Sequence, residues 1–201
     1  MIKLGVLISG GGTNLQAIID ACTAGTLDAE IVLVIASKPD AYGLKRAQEA
    51  GIPTIGLTRE VYNEQHAADT LIAEEFTRAD AEYIVMAGYM RRVTDPLLAA
   101  YPDHVINIHP ALLPSFAGAH GIQDAWDKGV KVTGVTVHFA NAVYDDGPII
   151  AQQAVEIRKD DTIETLEERI HAVEHELYPA TLQLLAEGRL HIGTDRHVYL
   201  T

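Results

Sequence analysis

Apolar residues in this 201-residue chain form short continuous runs separated by longer stretches in which they recur every three or four positions. Residues 3–9 make the first run and read as a buried strand, with a tight turn at Gly10-Gly11-Gly12-Thr13-Asn14. Residues 15–23 then place Leu15, Ile18, Ile19 and Cys22 on one face of a helix. The same rhythm predicts strand 31–36 with helix 43–50, strand 54–57 with helix 62–78, and strand 83–87. After strand 105–109 and an irregular segment at 110–121, a helix at 122–128 leads to a long strand at 130–139. Residues 149–157 return as its antiparallel neighbour. Asp160, Asp161 and Thr162 offer starting groups for a last long helix ending near Gly188, and residues 191–201 read as an extended tail.

Strands alternating with helices in this way predict an α/β, three-layer, Rossmann-like fold. The expected sheet is mostly parallel and twisted, with helices on both faces and an antiparallel C-terminal strand pair. Neither a repeat nor an interdomain linker interrupts the pattern, so residues 1–201 are expected to form a single domain. The N-terminal apolar run is too brief for a signal peptide, and no run approaches the roughly 20 residues that span a bilayer. The one cysteine, Cys22, fits a reducing cytoplasm and a core role. Fifteen Lys and Arg against 28 Asp and Glu give a formal charge of −13, a surface that repels nucleic acid and anionic membranes. A phosphate-bearing ligand would therefore need a local device.

Three places can carry chemistry. In strand 105–109 Val105, Asn107 and His109 share one side and Ile106 and Ile108 the other, so two polar groups project together just before Pro110 ends the pairing. A carboxylate such as Asp145, in the loop after strand 130–139, can hydrogen-bond an imidazole and fix its orientation and charge. An amide beside such a cation makes two donors for an oxyanion. With no well-placed nucleophile nearby, the set suits direct transfer of a carbonyl-containing group between two bound substrates. A satisfied polar pair and a turn-forming Asp remain the plainer alternative. Second, the glycine turn at 10–12 opens a helix and can aim backbone N–H groups at a phosphate, although it matches neither a P-loop nor a full dinucleotide fingerprint. Third, His171-Ala172-Val173-Glu174-His175 matches the H-x-x-E-H zinc pattern without a third ligand at convincing spacing. His66, His104, His191 and His197 read as surface or turn residues, His138 as a satisfied core group, and His120 as a candidate for lining the site.

These residues resemble the phosphoribosylglycinamide formyltransferase family from Ile2 to about Leu190. The likeness rests on Ile8-Ser9-Gly10-Gly11-Gly12-Thr13-Asn14-Leu15-Gln16, Ala87-Gly88-Tyr89-Met90-Arg91 and Asn107-Ile108-His109-Pro110-Ala111-Leu112-Leu113-Pro114. It continues in Gly134-Val135-Thr136-Val137-His138-Phe139, Asp145-Asp146-Gly147-Pro148-Ile149-Ile150 and Glu174-His175-Glu176-Leu177-Tyr178-Pro179. The resemblance implies a cytoplasmic enzyme of purine biosynthesis that moves the formyl group of 10-formyltetrahydrofolate to the glycine amine of glycinamide ribonucleotide. It implies that Asn107 and protonated His109 stabilise a tetrahedral oxyanion while Asp145 sustains the His109 charge and helps move protons. Gly12, Thr13 and Asn14 would hold the phosphate, and Glu174, with His171, the ribose or amine end. Met90, Arg91, Arg92 and Val93, with Asn107 and with Asn141, Ala142, Val143, Tyr144 and Asp145, would line the folate pocket. No metal is implied, and the expected state is monomer or homodimer.

The chain departs from the family pattern at four places: Gln65 replaces a frequent Arg (Arg59 is nearby but not aligned), His171 a Gln or Lys, Ala117 a Pro, and Asp146 a small residue. The rival expectations are a formyltetrahydrofolate hydrolase using the same Asn, His and Asp, and a catalytically silent nucleotide-binding module. A methionyl-tRNA formyltransferase is disfavoured by the acidic charge and by the lack of a C-terminal domain.

Overall fold

A computed structural model describes residues 1–201. The apolar runs become β1 (Ile2–Ile8), β2 (Ala29–Ala36), β3 (Thr54–Gly56), β4 (Tyr83–Met86), β5 (Val105–His109), β6 (Val132–Phe139) and β7 (Ile149–Glu156). They form one sheet in the order β3-β2-β1-β4-β5-β6-β7. Strands β1 to β5 pair in parallel, whereas β6 runs antiparallel to both β5 and β7. The antiparallel portion therefore begins one strand earlier than the pair read from the sequence.

Because consecutive side chains of a strand point to opposite faces, each central strand feeds two cores. Leu4, Val6 and Ile8 of β1, Val85 of β4 and Ile106 and Ile108 of β5 join one cluster. That cluster packs against α1 (Thr13–Ala24), α2 (Tyr42–Glu49) and α7 (Ile163–Ala186) through Leu15, Ile18, Leu44, Leu166, Ile170 and Tyr178. Leu7, Ile84, Met86 and Val105 face the other way, onto Ala68, Ile72 and Phe76 of α4 (Gln65–Arg78) and Leu97 of α5 (Asp95–Ala100). Asn107 and His109 lie on the Val105 side, as the alternation of β5 requires.

Two helical details differ from the expected pattern. The helix expected at 62–78 begins at Gln65 as α4, and a separate short helix, α3 (Arg59–Asn63), capped by the Thr58 hydroxyl, precedes it, with Glu64 between them outside the helical region at φ −94, ψ 87. Helix α5 has no counterpart in the sequence reading. It is short, begins with Asp95-Pro96, and is anchored where the Asp69 carboxylate accepts from both the N–H and the hydroxyl of Thr94 at 2.6 Å. Helix α6 (Gly121–Lys128) follows the irregular segment, and α7 starts in a reciprocal capping box between Thr162 and Thr165. The tail folds into a separate hairpin, β8 (Leu190–Ile192) and β9 (Val198–Leu200). No helix is long and apolar enough to cross a membrane.

Tyr178 ties α7 to the site-bearing edge of the sheet. Its fully buried hydroxyl lies 3.2 Å from the Met86 carbonyl of β4 and 3.0 Å from the Ile106 carbonyl of β5. Removing a buried donor leaves its acceptors without that partner, at about 1–3 kcal/mol. Tyr178→Phe should accordingly lower the melting temperature by roughly 2–4 °C per kcal/mol lost, measurable by calorimetry. An unchanged melting temperature would show that this hydroxyl contributes nothing.

Candidate functional site

The site forms where the C-terminal ends of β1, β4 and β5 meet, beside the point at which strand order reverses around β1. Ligands of open α/β sheets bind at such a switch point. His109 ends β5 with 4% of its surface exposed. Its Nε2 lies 2.8 Å from the Phe116 carbonyl, which can only accept, so Nε2 carries a hydrogen. Its Nδ1 lies 3.4 Å from Asp145 Oδ2. Both ring nitrogens thus face oxygen acceptors.

The antiparallel register brings in a group the sequence reading placed in the core. His138 of β6 sits directly opposite Asn107 of β5. Its Nε2 is 3.2 Å from Asn107 Nδ2 and 3.6 Å from Asp145 Oδ1, while its Nδ1 donates to the Phe139 carbonyl. Asn107 Nδ2 also donates to Asp145 Oδ1 at 3.5 Å. His138 is buried as expected, but it belongs to a four-membered polar cluster with Asn107, His109 and Asp145. The available signal was a polar residue in an apolar strand, and only the strand register shows what it meets.

Asp145 reaches this cluster from the 140–148 loop, with a positive φ of 52 and a side chain 3% exposed. Burial by itself pushes its carboxyl up. The His138 ring, the Gly118 N–H at 2.9 Å and the charge of the two imidazoles outweigh burial and hold it below the ordinary carboxylate value. The loop returns against the end of β6 so closely that a Cβ at Gly147 would lie 1.6 Å from the Phe139 carbonyl oxygen. Asn141 donates to the Asp146 carbonyl and accepts from the Val143 N–H. Arg196 of the tail donates to both the carbonyl and the carboxylate of Asp146.

Across the cavity, Gly12 caps α1 in the left-handed region at φ 71, and no side chain caps or acidifies that helix's first turn. Its free N–H groups and positive dipole end remain available to an anion. Asn14 is 7% exposed and donates from Nδ2 to Glu174 Oε2 at 3.1 Å, while its Oδ1 has no partner. Glu174, 4% exposed, also receives His171 Nδ1 at 2.9 Å. That hydrogen bond, against the opposing effect of burial, raises the His171 pKa above its ordinary value. His171 and His175 stack in parallel on one face of α7, and no cluster of three or more His, Cys, Asp or Glu side chains there could hold a metal ion.

One cavity of about 430 Å³ is lined by Gly12, Thr13, Asn14, Met90, Asn107, His109, Tyr144, Asp145, His171 and Glu174, among others. A small crevice of about 20 Å³ shares Asn107, Tyr144 and Asp145 with it and is lined also by Arg92, Val93, His138, Asn141 and Val143. The structure therefore gathers most of the candidate residues around two spaces that share Asn107, Tyr144 and Asp145. Arg91 lies outside both spaces: its guanidinium donates to the Tyr62 carbonyl and stacks 4.4 Å from the Tyr62 ring. Ala142 is exposed in its loop and lines neither space. His120 is exposed at the start of α6, and Gln65 donates to the Arg92 carbonyl at 2.7 Å.

Residues 2–182 match the family model described as formyl transferase. A phosphoribosylglycinamide formyltransferase of Bacillus subtilis is 42% identical over 185 residues, covering 92% of this chain and 95% of that protein. The trifunctional purine biosynthetic protein adenosine-3 of Bos taurus is 41% identical over 98% of this chain, which spans only 19% of its length. The crystal structure of glycinamide ribonucleotide transformylase 1 from Symbiobacterium toebii superposes with a TM-score of 0.96 at 46% identity, covering 100% of this chain and 94% of that one. With the Asn107, His109 and Asp145 cluster in place and similarity along its full length, the chain belongs to the formyltransferase family, in its phosphoribosylglycinamide formyltransferase branch.

Proposed function

We propose that this chain, as a single domain, transfers the formyl group of 10-formyltetrahydrofolate to the glycine amine of glycinamide ribonucleotide. The observation that carries the reading is the polar cluster of Asn107, His109, His138 and Asp145 at the junction of two spaces. The folate side is assigned to the crevice edged by Arg92, Val93, Asn141, Val143 and Tyr144, with Met90 at its junction with the main cavity. The ribonucleotide side is assigned to the main cavity. There the N-terminus of α1 at Gly12, Thr13 and Asn14 receives the phosphate, and Glu174 with His171 the ribose and amine end.

In this reading the acceptor amine attacks the formyl carbon, and the C–N bond to the folate breaks after a proton passes from the attacking to the leaving nitrogen. Negative charge that develops on the formyl oxygen meets the His109 ring and the Asn107 amide. Asp145 faces the His109 ring, and its lowered pKa leaves it ionised and able to relay a proton through water. A cytoplasmic enzyme binding two small molecules, as monomer or homodimer, fits this scheme.

The direct test measures tetrahydrofolate release from the formyl donor with and without the ribonucleotide. Release should depend on the ribonucleotide; release that ignores it would identify a hydrolase, and no release at all a silent binding module. Asp145→Asn should lower kcat by roughly 10²–10⁴ and leave the ribonucleotide KM within about threefold. A pure KM defect would contradict its assigned role.

The raised pKa of His171 gives a signed pH effect. Its contact with Glu174 stabilises the fold fully below the unfolded histidine value and is lost as pH rises through the folded one. The melting temperature of the parent chain minus that of His171→Gln should therefore be larger at about pH 5.5 than at about pH 8.5. Equal differences at the two pH values would remove His171–Glu174 as a titrating pair.

A further inference from the structure

The glycine turn is held from behind by α2. The Gly43 N–H donates to the Gly10 carbonyl at 3.0 Å, and Arg46 Nε donates to the Gly11 carbonyl at 2.8 Å. The two segments touch closely enough that a Cβ at Gly12 would fall 2.7 Å from Gly43 Cα. In a trans peptide the C=O and the following N–H point in opposite directions. Turning the Gly10 and Gly11 carbonyls toward α2 therefore turns the N–H groups of Gly11 and Gly12 away from it, toward the cavity they line.

Arg46 is fixed for this purpose by more than one contact. Its Nη1 donates to Gln16 Oε1 at 3.2 Å, Gln16 Nε2 donates to Asp20 at 2.9 Å, and the guanidinium lies 5.1 Å from the Tyr42 ring centre. Arg46 shares with Thr13, Gln16, Ala17, Asp20 and His175 an open recess behind the turn. Its hydrogen bond to the Gly11 carbonyl also polarises the Gly11–Gly12 peptide, strengthening the Gly12 N–H as a donor. In a chain with a formal charge of −13, this places a fixed positive charge one peptide away from the first turn of α1.

We infer that Arg46 is a positioning residue for the phosphate group of the ribonucleotide: it aims the Gly12 N–H and supports the anion site from behind the turn. The inference rests on the proposed function for the identity of the phosphate-bearing substrate. It assigns the guanidinium's effect to the phosphate and not to the reacting amine.

The test compares the parent chain with Arg46→Gln and Arg46→Lys, using glycinamide ribonucleotide and the phosphate-free glycinamide riboside as acceptors. Arg46→Gln should raise the ribonucleotide KM by roughly tenfold, keep kcat within about twofold, and leave kcat/KM for the riboside within about twofold. Arg46→Lys keeps the charge but not the fork that bridges Gly11 and Gln16, so it should recover only part of the loss. Equal losses on the two acceptors would reveal a general structural role and overturn the inference, as would no loss or full recovery by lysine. The rise in melting temperature on adding ribonucleotide reads binding without turnover. If the parent chain binds but does not transfer, the proposed function falls. Arg46 is then judged on whether Arg46→Gln diminishes that rise.

Discussion

A carboxylate with almost no exposed surface has to be matched by groups that the fold delivers at fixed distances, because an unpaired buried charge costs several kcal/mol. Asp145 is such a carboxylate, and its partners come from separate parts of the chain: His109 at the end of β5, His138 in β6, and the Gly118 N–H of the connecting segment. The β5–β6 register sets the first two, and the close return of Gly147 against Phe139 sets the loop that carries the carboxylate. A shift of β6 by one residue would turn His138 to the opposite face and leave Asp145 beside an apolar side chain. The antiparallel turn of the sheet at β6 is thus a condition of the site.

The same cluster does double duty. Asn107, Tyr144 and Asp145 line both the large cavity and the small crevice, so groups bound in either space reach the same polar cluster. Direct group transfer benefits from this kind of placement, since orientation of two reactants can supply a large share of the barrier reduction. The segment after β4 is anchored for the same reason: Asp69 holds Thr94, and the Met90 N–H donates to Ser9 Oγ, so residues 90–93 are pinned at both ends.

Much of this was readable in the amino-acid order. The alternation in Val105-Ile106-Asn107-Ile108-His109 put Asn107 and His109 on one face, and the β/α rhythm gave the sheet and both helical layers. Residues whose meaning depends on a neighbour distant in sequence escaped. His138 is an ordinary polar residue in a strand until β5 is laid beside it, and Arg46 is an ordinary helix-surface cation until α2 is packed on the glycine turn. Helix α5 was missed because six residues carry too little periodicity, although Thr94-Asp95-Pro96 is a recognisable start. Family likeness put Arg91 and Ala142 with their neighbours, but one side chain stacks on Tyr62 and the other faces outward.

The hydrogen bond from Asn14 to Glu174 joins residues 160 positions apart, one in the first helix and one in the last long one. Between them the chain lays down six of the seven strands of the main sheet, β2 to β7. The ribonucleotide side of the cavity consequently does not exist in any partly assembled form of the molecule: its two halves meet only once the long-range contacts are made. Such non-local closure is slow relative to local helix formation. A nascent chain can complete this half of the cavity only after α7 has been made, and a molecule that holds ligand there reports by that fact that α1 and α7 have found each other.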